Sequence, residues 1–407
     1  MDRQGGPAGA GFVSPHLRIL TLSTLFPAAS RPNFGIFVER QTAALTAVRD
    51  FAVTVINPIG MAPWPLSLFG DRARIGDLHN EQWGELDVYR PRFMAIPKVG
   101  GRLNPGMIAS AVLPLAKRLH AEIGFDLIDA EFFYPDGPAA MRLSDALGIP
   151  FTIKARGADI HHWGTQPGCA EQLVEAADKA AGLLAVSGAL KADMVALGMD
   201  ADKIMVHYTG LDQSRFVPRD RAAEKARLGI SGPLILSVGA LIPRKGQDLL
   251  IAAMPALPDA MLMLAGQGES EGEYRALAAR LGVADRVSFM GNVPHDDLPA
   301  LFAAADVMAL VSSSEGLANA WVEALACGTP IVASDVGGIR ELVKSPEAGR
   351  VVARTPEAIA AAIKDILANP PLRDAVAANV SAFSWDENAR QLAEFFRSVA
   401  NERGSSS

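Results

Sequence analysis

DVMALVSSSEGLANAWVEALACGTPIVASDVGG, residues 306–338, reads as strand, loop, helix and strand. The helix stops before Gly328, and Thr329-Pro330 cannot extend it. A strand, a crossover helix and a second strand imply a parallel sheet, and such sheets seat ligands beyond the carboxyl ends of their strands. Glu315 falls in that place. Gly316 lets the backbone turn and approach a ligand. The amides of Leu317, Ala318 and Asn319 then open a helix N-terminus, a natural seat for phosphate. Glu323 follows Asn319 by four residues and shares its face of the helix. Ionised carboxylates only accept hydrogen bonds, so they suit vicinal hydroxyls. Two of them flanking an anion seat match a sugar nucleotide, whose two diols lie either side of a diphosphate. The plainer alternative is that Glu315 favours the helix dipole and Glu323 faces solvent.

The same alternation extends along the chain. Strand-like runs occupy 17–24, 51–57, 86–93, 125–130, 150–155, 182–187 and 203–208, then 233–239, 260–266, 286–291, 306–311 and 329–334. Many are continuously apolar, the pattern of strands buried on both faces. An α/β fold with parallel sheets follows. The series restarts after the charged segment PRDRAAEKARLGISG (218–232), which marks a boundary between domains at 17–217 and 218–382. The length of 407 residues also suits two domains. Residues 383–400 read as an amphipathic helix, expected to cross back onto the first domain. Residues 1–16 and 401–407 read as a loose arm and tail.

Composition narrows the function. Hydrophobic residues make up 49% and charged residues 20%, which is globular. A net charge of −7 argues against nucleic-acid partners. Two cysteines, Cys169 and Cys327, provide no disulfide framework. With no apolar signal core at the start, a cytoplasmic location is expected.

The segment 315–343, EGLANAWVEALACGTPIVASDVGGIRELV, resembles the E-x7-E signature of the retaining glycosyltransferase family 4. The likeness extends to 236–254, 264–307 and 383–392, and more sparsely to 22–45, 129–140 and 155–160. It implies the GT-B fold: two Rossmann-like domains facing a cleft, the first for the acceptor and the second for the donor. By resemblance Glu315 contacts donor-sugar hydroxyls, Glu323 the ribose, and the amides from Gly316 to Asn319 the phosphates. The family's G-R-L-x-x-x-K-G pattern stands here as Gly239-Ala240-Leu241-Ile242-Pro243-Arg244-Lys245-Gly246. Lys245 then faces the diphosphate. Ala240 replaces the usual arginine, and Arg244 is the candidate substitute. Gly35 matches a glycine near diphosphate and acceptor. Arg156-Gly157-Ala158-Asp159 stands where the family more often has His-Gly-x-Asp; as a permanent cation Arg156 suits phosphate or sugar positioning rather than base catalysis.

The implied reaction moves a sugar from a UDP- or GDP-sugar to a hydroxyl of a glycan or lipid-linked acceptor, without a metal. Alternatives are an epimerase-like enzyme and a non-catalytic GT-B protein. Four other signals are set aside. Asp200-Ala201-Asp202 reads as a turn, and His161-His162 lacks supporting ligand spacing. His295-Asp296-Asp297 reads as a helix start, and Gly266-Gln267-Gly268 lacks a third glycine. Residues 88–121 carry Arg90, Arg92, Lys98, Arg102, Lys117 and Arg118 without one acidic residue. Peripheral contact with an anionic membrane is expected there, as against an ordinary solvated surface.

Overall fold

A computed structural model of the chain describes residues 17–62, 79–95 and 101–404. The arm 1–16, Ile96, Lys98 and the end of the tail lie outside the described residues. Two sheets organise the molecule. The first runs in the order β10-β9-β8-β7-β1-β2-β5-β4. Its strands are β1 (Leu17–Leu22), β2 (Phe51–Ile56), β4 (Glu81–Trp83), β5 (Leu86–Tyr89), β7 (Leu127–Ala130), β8 (Phe151–Ala155), β9 (Gly182–Ala185) and β10 (Ile204–Val206). All pairs are parallel except β4 with β5. The second sheet is wholly parallel, in the order β13-β12-β11-β14-β15-β16. It comprises β11 (Leu234–Val238), β12 (Met261–Ala265), β13 (Val287–Gly291), β14 (Val307–Leu310), β15 (Ile331–Ser334) and β16 (Gly349–Val352). This is the doubly wound order, with its topological switch between β11 and β14.

Burial explains the apolar runs. Every residue of β7, β8, β14 and β15 is buried, because helices cover both faces of each sheet. The run 86–93, read as one strand, is two. Pro91 lacks an N–H and ends β5, and β6 (Arg92–Met94) pairs instead with β3 (Ile59–Met61) in a separate ribbon. Strand β16 escaped the sequence reading.

The last helix, Trp385–Gly404, lies on the first sheet. Leu392, Ala393, Phe396 and Val399 pack with Ile19, Leu45, Phe51, Leu127 and Leu184. Trp385 sits under Gly210, where a Cβ would come within 2.1 Å of the indole. Between the sheets, helix Arg221–Arg227 is capped by the Asp220 carboxylate, which accepts from Ala222 N at 2.9 Å.

Candidate functional site

The carboxyl ends of β11 and β14 build the centre of the site. After β11 the chain makes a short 3-10 turn, Pro243–Lys245, and leaves it through Gly246 in the left-handed region. That turn aims Lys245 at the loop following β14. Lys245 Nζ donates to Glu315 Oε1 at 2.6 Å, with side chains only 14% and 9% exposed. Arg244 Nη1 lies 3.4 Å from the same oxygen and donates to the Ser314 carbonyl at 2.5 Å. Gly239 lies beside Lys245, at contact distance of its stem. Glu315 and Lys245 therefore form one ion pair at the strand ends, with Arg244 at its rim.

Glu315 leads into the helix Asn319–Ala326. Leu317 and Ala318 are buried, and Ala318 as N-cap offers no side-chain cap. The amides of Leu317, Ala318 and Asn319 find no protein acceptor among the described residues. They are the unpaired donors expected at a helix start. Gly316 meets the first domain directly. A Cβ there would lie 2.4 Å from the Arg156 carbonyl oxygen. Its own carbonyl accepts from Ser187 Oγ at 3.1 Å and Gly338 N at 2.8 Å. The glycine thus permits the two domains to touch backbone to backbone.

A cleft of about 720 Å³ opens beside this centre, between residues 30–36 of the first domain and the ends of β11, β12 and β13. Gly239, Gly266, Gln267, Asn292 and His295 line it. Asn33 Nδ2 spans it, donating to Asn292 Oδ1 at 3.1 Å and to the Val293 carbonyl at 3.0 Å. Gly35, at φ 71°, starts helix Ile36–Thr46 at the edge of this loop, pressed on the backbone of Leu25 and Phe26.

Glu323 does not share the Lys245 and Arg244 contacts of Glu315. It lines a second, much smaller space, with room for about one water, formed by Arg40, Thr209, Arg215, Phe216, His295 and Trp385 among others. Its Oε1 contacts His295 Nε2 at 2.9 Å. The sequence reading took His295 only as a helix start. It does begin the 3-10 turn His295–Asp297, and it also holds Glu323.

Arg156 is committed to its own domain. Its Nε donates to the Glu131 carbonyl at 2.8 Å and its Nη2 to the Glu131 carboxylate. The guanidinium lies 4.6 Å above the Phe37 ring. Asp159 accepts from the amides of Phe133, Arg156 and Gly157 at 2.7–3.0 Å, which fixes the loops after β7 and β8. Behind Arg156 runs a fully buried polar chain. Gln41 donates to Glu131, and Lys154 Nζ donates to Gln41 and contacts His207 Nδ1 at 2.7 Å. His207 Nε2 then reaches the Asn388 carbonyl of the last helix at 2.9 Å. Burial, with Arg156 nearby, lowers the Lys154 ammonium to about 7. Burial and the neighbouring Glu131 raise the Asp129 carboxyl well above its usual value. Burial likewise lifts Asp136 to about 8, beside the Thr24 amide that its Oδ2 accepts from at 2.8 Å. Sequence reasoning missed this chain. Its signal was a lysine and a histidine inside otherwise apolar strand runs, PFTIKA and KIMVHY.

Other signals resolve simply. Asp200 caps a turn, accepting from Asp202 N at 2.9 Å. His161 bridges Asp193 at 2.9 Å and Ser314 at 2.6 Å. Among the described residues no group of three or more His, Cys, Asp or Glu is placed to hold a metal ion. No described helix is long and apolar enough to cross a membrane. Arg90 is a correction to the basic surface. It is only 4% exposed, with its guanidinium on Glu81, Asn57 and the Pro27 carbonyl, so it faces inward.

Two family descriptions match the chain. "Glycosyltransferase Family 4" matches residues 35–215 and "Glycosyl transferases group 1" residues 219–383. A D-inositol 3-phosphate glycosyltransferase of Mycolicibacterium vanbaalenii is 34% identical over 57% of this chain and 56% of its own length. The GDP-mannose-dependent alpha-(1-6)-phosphatidylinositol monomannoside mannosyltransferase of Mycolicibacterium smegmatis is 39% identical, over 43% and 50%. The chain thus spans about half the length of these curated relatives. The putative teichuronic acid biosynthesis glycosyltransferase TuaC of Bacillus subtilis is 28% identical over 94% of this chain and 99% of its own. Among solved structures, sucrose-phosphate synthase of Thermosynechococcus elongatus superposes with a TM-score of 0.78 at 23% identity, covering 94% and 98%. Anabaena HepE with UDP-glucose superposes at 0.73 and 22%, covering 94% and 100%. Two doubly wound sheets and a family match on each side of residue 217 agree: the chain belongs to the family 4 glycosyltransferases, of GT-B fold.

Proposed function

We propose that the protein transfers a glycosyl unit from a nucleoside diphosphate sugar to a hydroxyl acceptor with retention of configuration, in glycan assembly. The observation that carries this is the Lys245–Glu315 pair at the head of helix Asn319–Ala326. An ammonium has three donors, so Lys245 keeps two for a diphosphate while one holds Glu315. Glu315 retains acceptor capacity for sugar hydroxyls. As the glycosidic bond breaks, negative charge grows on the leaving phosphate. Lys245, Arg244 and the amides of Leu317 to Asn319 supply preorganised positive charge there. A leaving-group oxygen takes the acceptor's proton, so no protein nucleophile is needed. Arg156, held by Glu131, positions the acceptor side. The charge requirement is met without a metal. The nucleoside is assigned to the 720 Å³ cleft, with Gly239, Gln267 and Asn292 around it. One relative named as GDP-mannose-dependent and a structural neighbour in complex with UDP-glucose support a sugar-nucleotide donor.

A thermal-shift panel of UDP- and GDP-sugars tests the reading. A ligand at 100 times its Kd adds about 2.7 kcal/mol to the folded state. If no nucleoside diphosphate or its sugar raises Tm at millimolar concentration, the reading fails.

A second surface favours a lipid-linked acceptor at the inner face of a membrane. Exposed Met94 and Leu103 flank a groove of about 550 Å³, with exposed Arg92 and Arg102 beside it. Exposed Lys117 and Arg118 extend the charge along helix Asn104–Ile123. Apolar side chains next to cations suit anionic headgroups.

A further inference from the structure

Between Glu323 and the cleft stand two side chains common to both spaces, Ile36 and His295. His295 lines both the 720 Å³ cleft and the small space that contains Glu323, whereas Glu323 is not among the residues lining the cleft. Of the two, only the imidazole is polar and touches the carboxylate: its Nε2 holds the Glu323 Oε1 that would otherwise accept from a diol. We propose that His295 is a gate on Glu323: it must swing off the carboxylate before a ribose can bind there, and so it sets the affinity for the nucleoside half of the donor. This rests on the donor-site reading above.

Three observations make the ring a movable part. Its Nδ1 is buried without a partner, so the seat on Glu323 satisfies only one of its two nitrogens. A buried polar atom left unpaired is costly, which weakens the hold of that seat. The ring's only described aromatic neighbour is Phe216, 5.4 Å away between centroids, a tilted contact that a rotated imidazole can leave. The backbone beneath it is anchored from two sides. Asn33 of the first domain holds Asn292 and Val293, and Arg215 at the end of that domain holds Asp296 at 2.7 Å. The side chain can thus turn without dragging the loop. The same anchors make the gate sensitive to how the domains sit, because both come from outside the second sheet.

The test is calorimetric binding of UDP and GDP, and of their 2′,3′-dideoxy forms, to the wild-type chain, His295→Ala, His295→Phe, Glu323→Ala and the double variant H295A/E323A. Circular dichroism checks folding. Phenylalanine keeps a ring against Phe216 but cannot bond Glu323. Both His295 variants are expected to bind the ribonucleotide about fivefold tighter than wild type, since a hydrogen bond no longer has to be broken. The gain should vanish with the dideoxy ligands and in the E323A background. Weaker or unchanged binding in both His295 variants overturns the gate, as does a gain that survives loss of Glu323 or of the ribose hydroxyls. Binding of no nucleotide to any form, wild type included, removes the donor-site reading and the gate with it.

Discussion

Replacing Lys245 by methionine removes one ammonium while keeping most of the side chain's volume. The bond it loses is 2.6 Å long and lies between groups 14% and 9% exposed, so water screens it little. In the resting protein the cost is moderate. Arg244 remains 3.4 Å from Glu315 Oε1 and takes over part of the pairing. A charge-assisted hydrogen bond of this kind is worth about 1.5–3 kcal/mol, so a fall in Tm of a few degrees is expected. On the proposed mechanism the loss in the transition state is larger, because the ammonium would face the charge that develops on the diphosphate. Removing one preorganised donor typically costs about 100- to 1,000-fold in kcat, or roughly 3–4 kcal/mol. The assay is initial-rate release of nucleoside diphosphate from UDP- and GDP-sugars, with KM and kcat separated. The expected signature is a collapse of kcat with KM changed by less than about tenfold. A folded K245M protein whose kcat stays within about fivefold of wild type would refute the electrostatic role assigned to Lys245.

Alanine at Gly316 should drive a methyl into the Arg156 carbonyl, which lies 2.4 Å from the built Cβ; activity should fall at least tenfold and small-angle scattering should report a more open molecule. Asp136, lifted to about 8 by burial, binds a proton in the folded chain that the unfolded chain releases near pH 4. Its contribution to stability is thus full below about pH 4 and lost as pH rises through about 8; Asp136→Asn should flatten urea midpoints between pH 5 and 8.5, and an unchanged slope counts against the assignment. Phe396→Ala, at a fully buried position, should cost about 3–5 kcal/mol in urea unfolding. Charge reversal at Arg102 and Arg118 should abolish flotation with anionic vesicles and leave binding of soluble sugar nucleotides intact.

What the sequence disclosed depended on how local each feature is. Strands β14 and β15 were legible because burial on both faces leaves a nearly unbroken apolar run, and β7 and β8 because Asp129, Thr152 and Lys154 interrupt theirs only briefly. Strand β16 was not, since GRVV opens on a glycine and carries Arg350, whose guanidinium reaches out to Asp365 at 2.7 Å. The division of 86–93 turned on one missing N–H at Pro91. In the site, Glu315 was found through local context, a carboxylate just past a strand, and Lys245 through the family pattern at Gly239–Gly246. Their meeting spans 70 residues and is visible only once β11 and β14 are neighbours. Glu131 and His295 were missed for the converse reason. Nothing next to them in the chain marks them, and each acquires its role from a partner, Arg156 or Glu323, brought up by another strand or helix.

The helix Trp385–Gly404 changes how the halves of the molecule are joined. The polypeptide passes from the first lobe to the second before Arg221 and returns before Trp385, so two separate tethers bridge the halves. A single tether would act as a swivel. Two act as paired pivots, which leave free mainly the rocking that opens and shuts the jaws of the molecule and oppose twist of one jaw past the other. The indole of Trp385 lodged under Gly210 sets one pivot against the other, so bulk added at Gly210 should stiffen or misalign the bite without touching a single group at Lys245 or Glu315.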